Sequence, residues 1–165
     1  MTICVIPARH GSKRIPLKNI RAFAGKPMIA WSIAAAQEAG CFDRIIVSTD
    51  SEQIAEVARD CGAELPFMRD EKLSDDTTPT VPVIADAVRR LQLAAETPVC
   101  CLYATAPFAR GQDLRTGLDV LQRERSKFVV SVTTFAFPIQ RALRMNDTGR
   151  VEMFSPQHAL TRSQD

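Results

Sequence analysis

The chain has 165 residues, 45% of them hydrophobic and 24% charged, an ordinary composition for one globular α/β domain. Lysine and arginine total 21 against 19 aspartates and glutamates, so the net charge is only +2. This balance argues against non-specific nucleic-acid binding, which needs a large positive excess. No segment approaches the roughly 18 apolar residues of a membrane span, and the first residues do not have the order of a signal peptide. We expect a cytoplasmic protein without nucleic-acid or membrane partners.

The five cysteines form an odd set without any C-x-x-C spacing: Cys4, Cys41, Cys61, Cys100 and Cys101. Such a set is typical of free, buried thiols rather than of a zinc site or a disulfide framework. Cys100 and Cys101 are adjacent in an apolar run, so their side chains would point to opposite faces of a strand. Free thiols fit a reducing cytoplasm.

Short β-rich runs alternate with amphipathic stretches along the chain, which predicts a mostly parallel sheet flanked by helices. The predicted strands cover 2–6, 45–49, 63–68, 99–103 and 128–134, and the predicted helices 26–39, 80–95 and 112–124, with another between Ser51 and Gly62. Ser51 is expected to cap that helix, and Gly40 to end the first one. Segments 141–145 and 150–154 flank a turn, which predicts a small hairpin projecting from the sheet.

Three unusual loops follow predicted strands, at 7–20, 69–80 and 103–111. Ligands of open parallel sheets bind at the carboxyl ends of the strands. The sequence therefore predicts a site to which these three loops contribute.

The first of these loops concentrates positive charge. Residues 6–20 read IPARHGSKRIPLKNI, with four cations, a glycine that permits close backbone approach, and two prolines that restrict the loop. Cations and backbone amides in this arrangement are suited to a triphosphate and a departing pyrophosphate. Neither a Walker A motif nor G-x-G-x-x-G is present. The alternative for a basic loop is a solvated surface, but its place at a strand end favours phosphate binding.

IPARHGSKRIPLKNI resembles the signature of the CMP–acidic-sugar synthetases, a family of cytidylyltransferases. The resemblance continues through FDRIIVSTDSEQIAEVA, ELPFMRDEKLSDDTTPT and LYATAP, and so covers essentially the whole chain. PFMR, LSDDTTPT, YATAPF and TTFAFPIQRAL are most similar to the pseudaminic acid cytidylyltransferase branch. The resemblance implies a Rossmann-like α/β fold of the nucleotide-diphospho-sugar transferase type. It also implies a reaction of CTP with an acidic nine-carbon sugar that releases pyrophosphate, with magnesium (Mg²⁺) as cofactor.

The resemblance assigns roles to residues of all three loops. Two positions match catalytic groups that stabilise the transition state, Arg9 and Lys18. Six match nucleotide-binding positions: Ser12, Lys13, Asn19, Arg69, Thr78 and Thr80. Independently, an arginine and hydroxyls can satisfy the donor and acceptor groups of cytosine. Helix capping is the alternative for Thr78 and Thr80.

Four further positions match residues near the sugar: Tyr103, Thr105, Gln140 and Arg162. Sialic-acid members usually carry Gln at the position of Tyr103, and a Tyr there offers a more apolar surface that suits a deoxygenated sugar. An ordinary aromatic at a sheet edge is the alternative for Tyr103. Arg162 would pair with the sugar carboxylate.

The metal ligands are unknown at this point. Asp75 and Asp76 are candidates, but acidic residues before a helix more often serve its dipole. His10 is expected to be a spectator rather than a general base.

We expect 1–165 to be a single nucleotidyltransferase domain, truncated at its C-terminus relative to the family, with 135–165 as an extension for dimerisation and sugar binding. The resemblance suggests a homodimer. Two alternatives stay open: another acidic sugar (sialic, legionaminic or KDO), and an inactive module that binds CTP.

Overall fold

The computed structural model describes residues 1–12, 15–132 and 142–160. The chain divides into two compact units, Met1–Val129 and Val130–Asp165. None of the described helices combines the length and the apolar composition of a membrane span.

The first unit contains most of the regular structure. Its strands are β1 Ile3–Pro7, β2 Ala22–Phe23, β3 Lys26–Pro27, β4 Arg44–Ser48 and β5 Val99–Cys101. Its α-helices are α1 Met28–Ala39, α2 Glu52–Asp60, α3 Thr80–Arg90 and α4 Gly111–Arg123, and a 3₁₀ turn covers Glu71–Leu73.

The central sheet is parallel and has the strand order β4-β1-β5. Ile3 lies beside Arg44 on one neighbour and beside Val99 on the other, so β1 is the middle strand. This arrangement confirms the predicted fold class, and the first, second and fourth predicted strands. Because the strands are parallel, the loops that follow them leave from the same edge of the sheet.

Both faces of β1 are buried, so its side chains divide between two clusters. Cys4 and Ile6 pack on one side with Ile29 and Ile33 of α1. Ile3 and Val5 belong to the opposite cluster, which includes Ala87 of α3. Near-continuous apolar sequence is what a strand covered on both faces requires.

All five cysteines are free, as predicted. Cys100 packs in the same cluster as Cys4, whereas Cys101 is exposed, so the two neighbours do point to opposite faces. The expectation of burial is confirmed for Cys4 only, since the other thiols are half-buried (Cys41, Cys61, Cys100) or exposed (Cys101).

The prediction of a strand over 63–68 is wrong, since the segment forms only one bridge to β4, between Ile46 and Glu64. Glu64 exchanges two backbone hydrogen bonds with β4, but Pro66 has no N–H to extend the ladder. Pairing resumes only at Arg69, whose N–H donates to the Thr49 carbonyl at 2.7 Å.

The predicted strand 128–134 is also wrong over its described residues, 128–132, which form no ladder. Phe128, Val130 and Val132 are largely exposed. A β-prone composition produces a strand only where a neighbour pairs and packs with it. Residues 133 and 134 lie outside the described chain.

The structure confirms the predicted cap of the second helix and the predicted end of the first helix, but the first helix starts later than predicted. The Ser51 side chain accepts the Ile54 N–H and caps α2, and Gly40 ends α1 in the left-handed conformation. The first helix starts at Met28 rather than at Lys26. Lys26–Pro27 pairs instead with Ala22–Phe23 around a turn whose two central residues have positive φ, as a tight hairpin requires.

The second unit contains the predicted hairpin. Its strands are β6 Leu143–Met145 and β7 Val151–Met153, which pair antiparallel. Asn146 shapes the turn because its side-chain oxygen accepts N–H groups of Thr148 and Arg150. A short 3₁₀ turn follows at Pro156–His158.

The start of α4 lies directly against the end of α1, which gives a prediction for Gly111→Ala. A Cβ at Gly111 would come 2.7 Å from the Ala39 nitrogen and 2.9 Å from the Glu38 carbonyl carbon. Because backbone atoms cannot move aside cheaply, we expect a loss of about 1–3 kcal/mol of unfolding free energy in urea.

The matched control is Gly117→Ala, in the same helix, where a Cβ would meet nothing within 4 Å. There we expect a gain of about 0.5–1 kcal/mol from helix propensity. Equal effects at the two glycines would contradict the close approach of α1 and α4.

Candidate functional site

Three loops meet around one cavity of about 180 Å³ in the first unit: those that follow β1 and β5, and the 69–80 loop, which the bridge at Glu64 and the Arg69 N–H tie to β4 and its exit. The cavity lies at the carboxyl edge of the sheet, where the parallel topology predicts a ligand. The structure brings these site candidates together on its lining: Arg9, Ser12, Lys18, Asn19, Arg69, Thr78, Thr80, Tyr103 and Thr105. The candidates Lys13, Gln140 and Arg162 lie outside the described residues.

Arg9 joins the first loop to the second. Its guanidinium donates to the Asp75 backbone carbonyl and forms an ion pair with the Asp76 carboxylate at 2.9 Å. Its own backbone carbonyl accepts the side-chain N–H of Asn19 at 2.9 Å. Asn19 is buried, and its carbonyl accepts the Ile29 N–H at the start of α1. These bonds fix Arg9 relative to the start of α1 and to the neighbouring loop.

The first loop turns sharply at Leu17, which has a φ of 52°. A non-glycine residue in this conformation costs on the order of 1 kcal/mol, and such strain is concentrated at binding sites. The Leu17 carbonyl accepts the N–H groups of Ile20 and Arg21, and these bonds hold the turn. The turn keeps the next residue, Lys18, half-buried on the cavity wall.

Arg69 is a buried cation, with 6% of its surface exposed. Its Nε donates to Ser48 Oγ at 3.1 Å, and its Nη2 donates to the Ser48 carbonyl. In the described part of the chain it forms no ion pair. Burial lowers the pKa of the Arg69 guanidinium, with Asp50 as the main opposing charge. It stays protonated at neutral pH because its ordinary pKa is so high.

Asp75 organises the loop before α3. Its Oδ1 accepts N–H groups of Thr77 and Thr78, at 2.8 and 2.6 Å, and the Thr77 hydroxyl. These bonds stabilise the carboxylate and lower the pKa of Asp75 to about 2, with Thr78 the largest cause. Asp75 therefore stabilises its own loop through hydrogen bonds, whereas the sequence favoured an interaction with the dipole of α3.

Thr80 links the second loop to the third. Its hydroxyl and that of Tyr103 are 2.9 Å apart and share a hydrogen bond. The N-cap of α3 is Pro79, which has no side-chain capping bond, so neither Thr78 nor Thr80 caps the helix. The Tyr103 carbonyl accepts the buried Ser32 hydroxyl, and this bond anchors the third loop on α1.

The cavity carries excess positive charge. Among its described lining residues are three cationic side chains, from Arg9, Lys18 and Arg69, against the single carboxylate of Asp75. A second, more open cavity of about 450 Å³ adjoins it and shares Ser12 and Asp75. The second cavity adds the carboxylate of Asp76 to the described lining, so the excess of positive charge belongs to the first cavity, which suits an anionic ligand.

The described residues do not fit a metal ion by themselves. They include no group of three or more His, Cys, Asp or Glu placed to hold one. Asp75 is committed to its loop and Asp76 to Arg9. His10 takes part through its backbone, whose N–H donates to Asp50 at 2.8 Å.

Sequence reasoning did not select several residues of this region. Ser48 accepts hydrogen bonds from Arg69, although its sequence context predicts only the end of a strand. Val83 lies one helical turn after Thr80, so the i, i+3 spacing could have placed it on the same wall. Leu73 and Ala104 complete the lining, and no sequence signal distinguishes them from core residues.

Comparison with known proteins identifies the family of this chain. The profile of the cytidylyltransferase family matches residues 3–157. The chain is 46% identical over 165 residues to the pseudaminic acid cytidylyltransferase of Campylobacter jejuni, and covers 71% of that protein. It is 41% identical over 133 residues to the CMP-N,N'-diacetyllegionaminic acid synthase of Legionella pneumophila, covering 79% of this chain and 57% of that protein. The chain belongs to the cytidylyltransferase family.

Solved structures support the fold. A CMP:2-keto-3-deoxy-manno-octonic acid synthetase solved in complex with CTP aligns over 76% of this chain with a TM-score of 0.63 and 23% identity. A cytidylyltransferase from Leptospira borgpetersenii aligns over 76% with a TM-score of 0.62 and 18% identity. This chain spans about half the length of each, 49% and 51%. At these identities the likeness is one of fold.

The hydrogen bonds at Asp75 give a pH prediction. Its folded pKa is about 2 against an ordinary 3.8, so its contribution to stability is present above about pH 4 and is lost as the pH falls through 2. We expect a ¹³C carboxyl titration of the folded protein to place the Asp75 midpoint near 2. The same chain in urea should show an ordinary midpoint. An ordinary value in the folded state would mean that the Thr77 and Thr78 bonds are absent in solution.

Proposed function

We propose that this chain is a pseudaminic acid cytidylyltransferase, which joins an acidic nine-carbon sugar to CMP and releases pyrophosphate from CTP. The observation that carries the proposal is the convergence of three loops at the carboxyl edge of the sheet on one cationic cavity in a chain of the cytidylyltransferase family. The choice of sugar rests on 46% identity to proteins named pseudaminic acid cytidylyltransferase.

In the proposed reaction, the anomeric hydroxyl oxygen of the sugar attacks the α-phosphorus of CTP. The bond from that phosphorus to the bridging oxygen breaks, pyrophosphate leaves with the bonding electrons, and the hydroxyl proton is released. Such transfers depend on alignment and on stabilising charge at the phosphoryl oxygens. The cationic cavity supplies both requirements.

We assign the phosphates to the first loop. Arg9 and Lys18 would stabilise the α-phosphate, while Ser12, Lys13 and Asn19 would hold the β- and γ-phosphates. In this structure the Arg9 guanidinium forms an ion pair with the Asp76 carboxylate at 2.9 Å. The pair is partly exposed, and such pairs are worth little. A triphosphate can therefore compete for this guanidinium.

We assign the base and ribose to the second loop, through Arg69, Thr78 and Thr80. Cytosine presents two adjacent acceptors, O2 and N3, which a guanidinium can serve together. Because Arg69 is buried, its bonds to a base would be shielded from water and correspondingly selective.

We assign the sugar to the third loop, through Tyr103 and Thr105, with Gln140 and Arg162 as further contacts implied by the family resemblance. The Tyr103 hydroxyl is bonded to Thr80, so the aromatic ring is the part left to face a substrate. An apolar ring suits a sugar that lacks hydroxyl groups at the facing carbons.

Magnesium and a homodimer are parts of the proposal that rest on the family resemblance. Bound magnesium would supply positive charge to the phosphate oxygens, although the described residues alone offer it no ligand set. The five free thiols agree with a reducing compartment.

The proposed activity predicts pyrophosphate release from CTP, Mg²⁺ and pseudaminic acid, measured in a coupled phosphate assay. Sialic acid, N,N'-diacetyllegionaminic acid and KDO at equal concentration should react more slowly, and EDTA should stop the release. The Campylobacter jejuni relative, assayed in parallel, is the positive control. CTP binding without turnover of any of these sugars would identify an inactive CTP-binding module, and faster turnover of another sugar would overturn the choice of substrate.

Lys18→Ala should lower kcat by about 10²–10³-fold, the usual cost of removing one group that stabilises developing charge. Steady-state rates of pyrophosphate release by the wild-type chain and the variant measure this effect. The control is Lys26→Ala, a lysine of the same unit whose ammonium lies 5.1 Å from the Trp31 ring and outside the cavity. An undiminished kcat in Lys18→Ala would remove Lys18 from the reaction.

A further inference from the structure

Ser48 is the last residue of β4, and it is almost completely buried, with 1% of its surface exposed. Its hydroxyl accepts Arg69 Nε at 3.1 Å, and its carbonyl accepts Arg69 Nη2. The same carbonyl accepts the Ala8 N–H at 2.9 Å, at the exit of β1. One serine on the central sheet thus holds the guanidinium at two points and is itself fixed by the middle strand.

A two-point attachment determines the plane of a guanidinium, whereas a single hydrogen bond leaves it free to rotate. Arg69 has no carboxylate partner in the described chain that could fix this plane instead. Its backbone is tied to the same strand end, because its N–H donates to the Thr49 carbonyl at 2.7 Å. Arg69 lines the cavity, and its guanidinium has further N–H groups beyond the two that Ser48 accepts.

The orientation of that plane has a chemical consequence. Cytosine carries an acceptor at N3 beside O2, and uracil carries an N–H donor at N3. A guanidinium held in plane donates to both cytosine atoms but meets a donor on uracil. If the guanidinium can rotate, it can turn away from the uracil N–H and keep one bond to O2, so the difference between the bases shrinks.

From this geometry we propose that Ser48 is a positioning residue that sets the preference for cytosine over uracil nucleotides by orienting Arg69. The proposal rests on the assignment of Arg69 to the base. Ser48 acts through Arg69 and need not touch the nucleotide.

The test measures dissociation constants for CTP and UTP by calorimetry, together with thermal unfolding. Ser48→Ala removes the hydroxyl acceptor and should weaken CTP binding about 3- to 10-fold, the effect of one hydrogen bond. UTP binding should change less, so the preference for CTP falls. Ser48→Cys nearly keeps the side-chain volume but offers a weaker acceptor, so it should also lower the preference for CTP. This variant provides the test if the alanine variant does not fold. Ser48→Thr retains the hydroxyl and should retain the preference.

The matched control is Ser51→Ala, three residues further along the same segment. Ser51 is also buried and its hydroxyl caps α2 by accepting the Ile54 N–H at 3.4 Å. Its loss should lower the unfolding temperature without altering the CTP to UTP ratio. Full base preference in Ser48→Ala and Ser48→Cys, or an equal loss in Ser51→Ala, would overturn the positioning role. Wild-type protein that binds no CTP would instead overturn the proposed function.

Discussion

The central position of β1, paired with β4 on one side and with β5 on the other, places the loops of the site. All three strands are parallel, so the segments that leave them emerge at one edge. The two faces of β1 are buried in separate clusters, which leaves the strand little freedom to slide or rotate. The loops around Arg9 and Tyr103, far apart in sequence, consequently share one cavity, and Arg69 joins them because its N–H is bonded to Thr49 at the exit of β4.

The cavity is then held in shape by contacts between loops rather than by regular structure. Arg9 reaches Asp75 and Asp76, and Thr80 reaches Tyr103. Each contact joins neighbouring loops, so the three loops act as one wall. Hydrogen bonds of this kind contribute modestly one by one, about 0.5–1.5 kcal/mol each. Their combined effect is to organise polar groups before a ligand arrives, which reduces the ordering cost of binding.

Charge is distributed unevenly over this wall. Arg69 is buried and bonded to neutral oxygens of Ser48, while Arg9 is partly exposed and paired with a carboxylate. A buried arginine bonded to neutral groups keeps its charge available to a ligand, but its position is fixed. An exposed pair can exchange its partner at little cost. This contrast agrees with the proposed roles, in which the fixed Arg69 binds the base and the exchangeable Arg9 binds the phosphates.

The amino-acid sequence alone is enough to predict the alternation of strands and helices, the cap at Ser51, the stop at Gly40 and the basic loop after the first strand. These features depend on local chemistry: side-chain periodicity, capping hydroxyls and the freedom of glycine. The family resemblance also selected Arg69, Thr80 and Tyr103, although it could not show that Thr80 and Tyr103 are bonded to each other. Only the tertiary structure decided that 63–68 does not continue as a strand past Pro66, that Asp75 serves its own loop, and that Ser48 holds Arg69. The contact between Ser48 and Arg69 forms only when folding brings together two residues that lie 21 positions apart. Pro66 and Asp75 act on near neighbours in sequence, but only the folded chain shows which of their competing roles is realised.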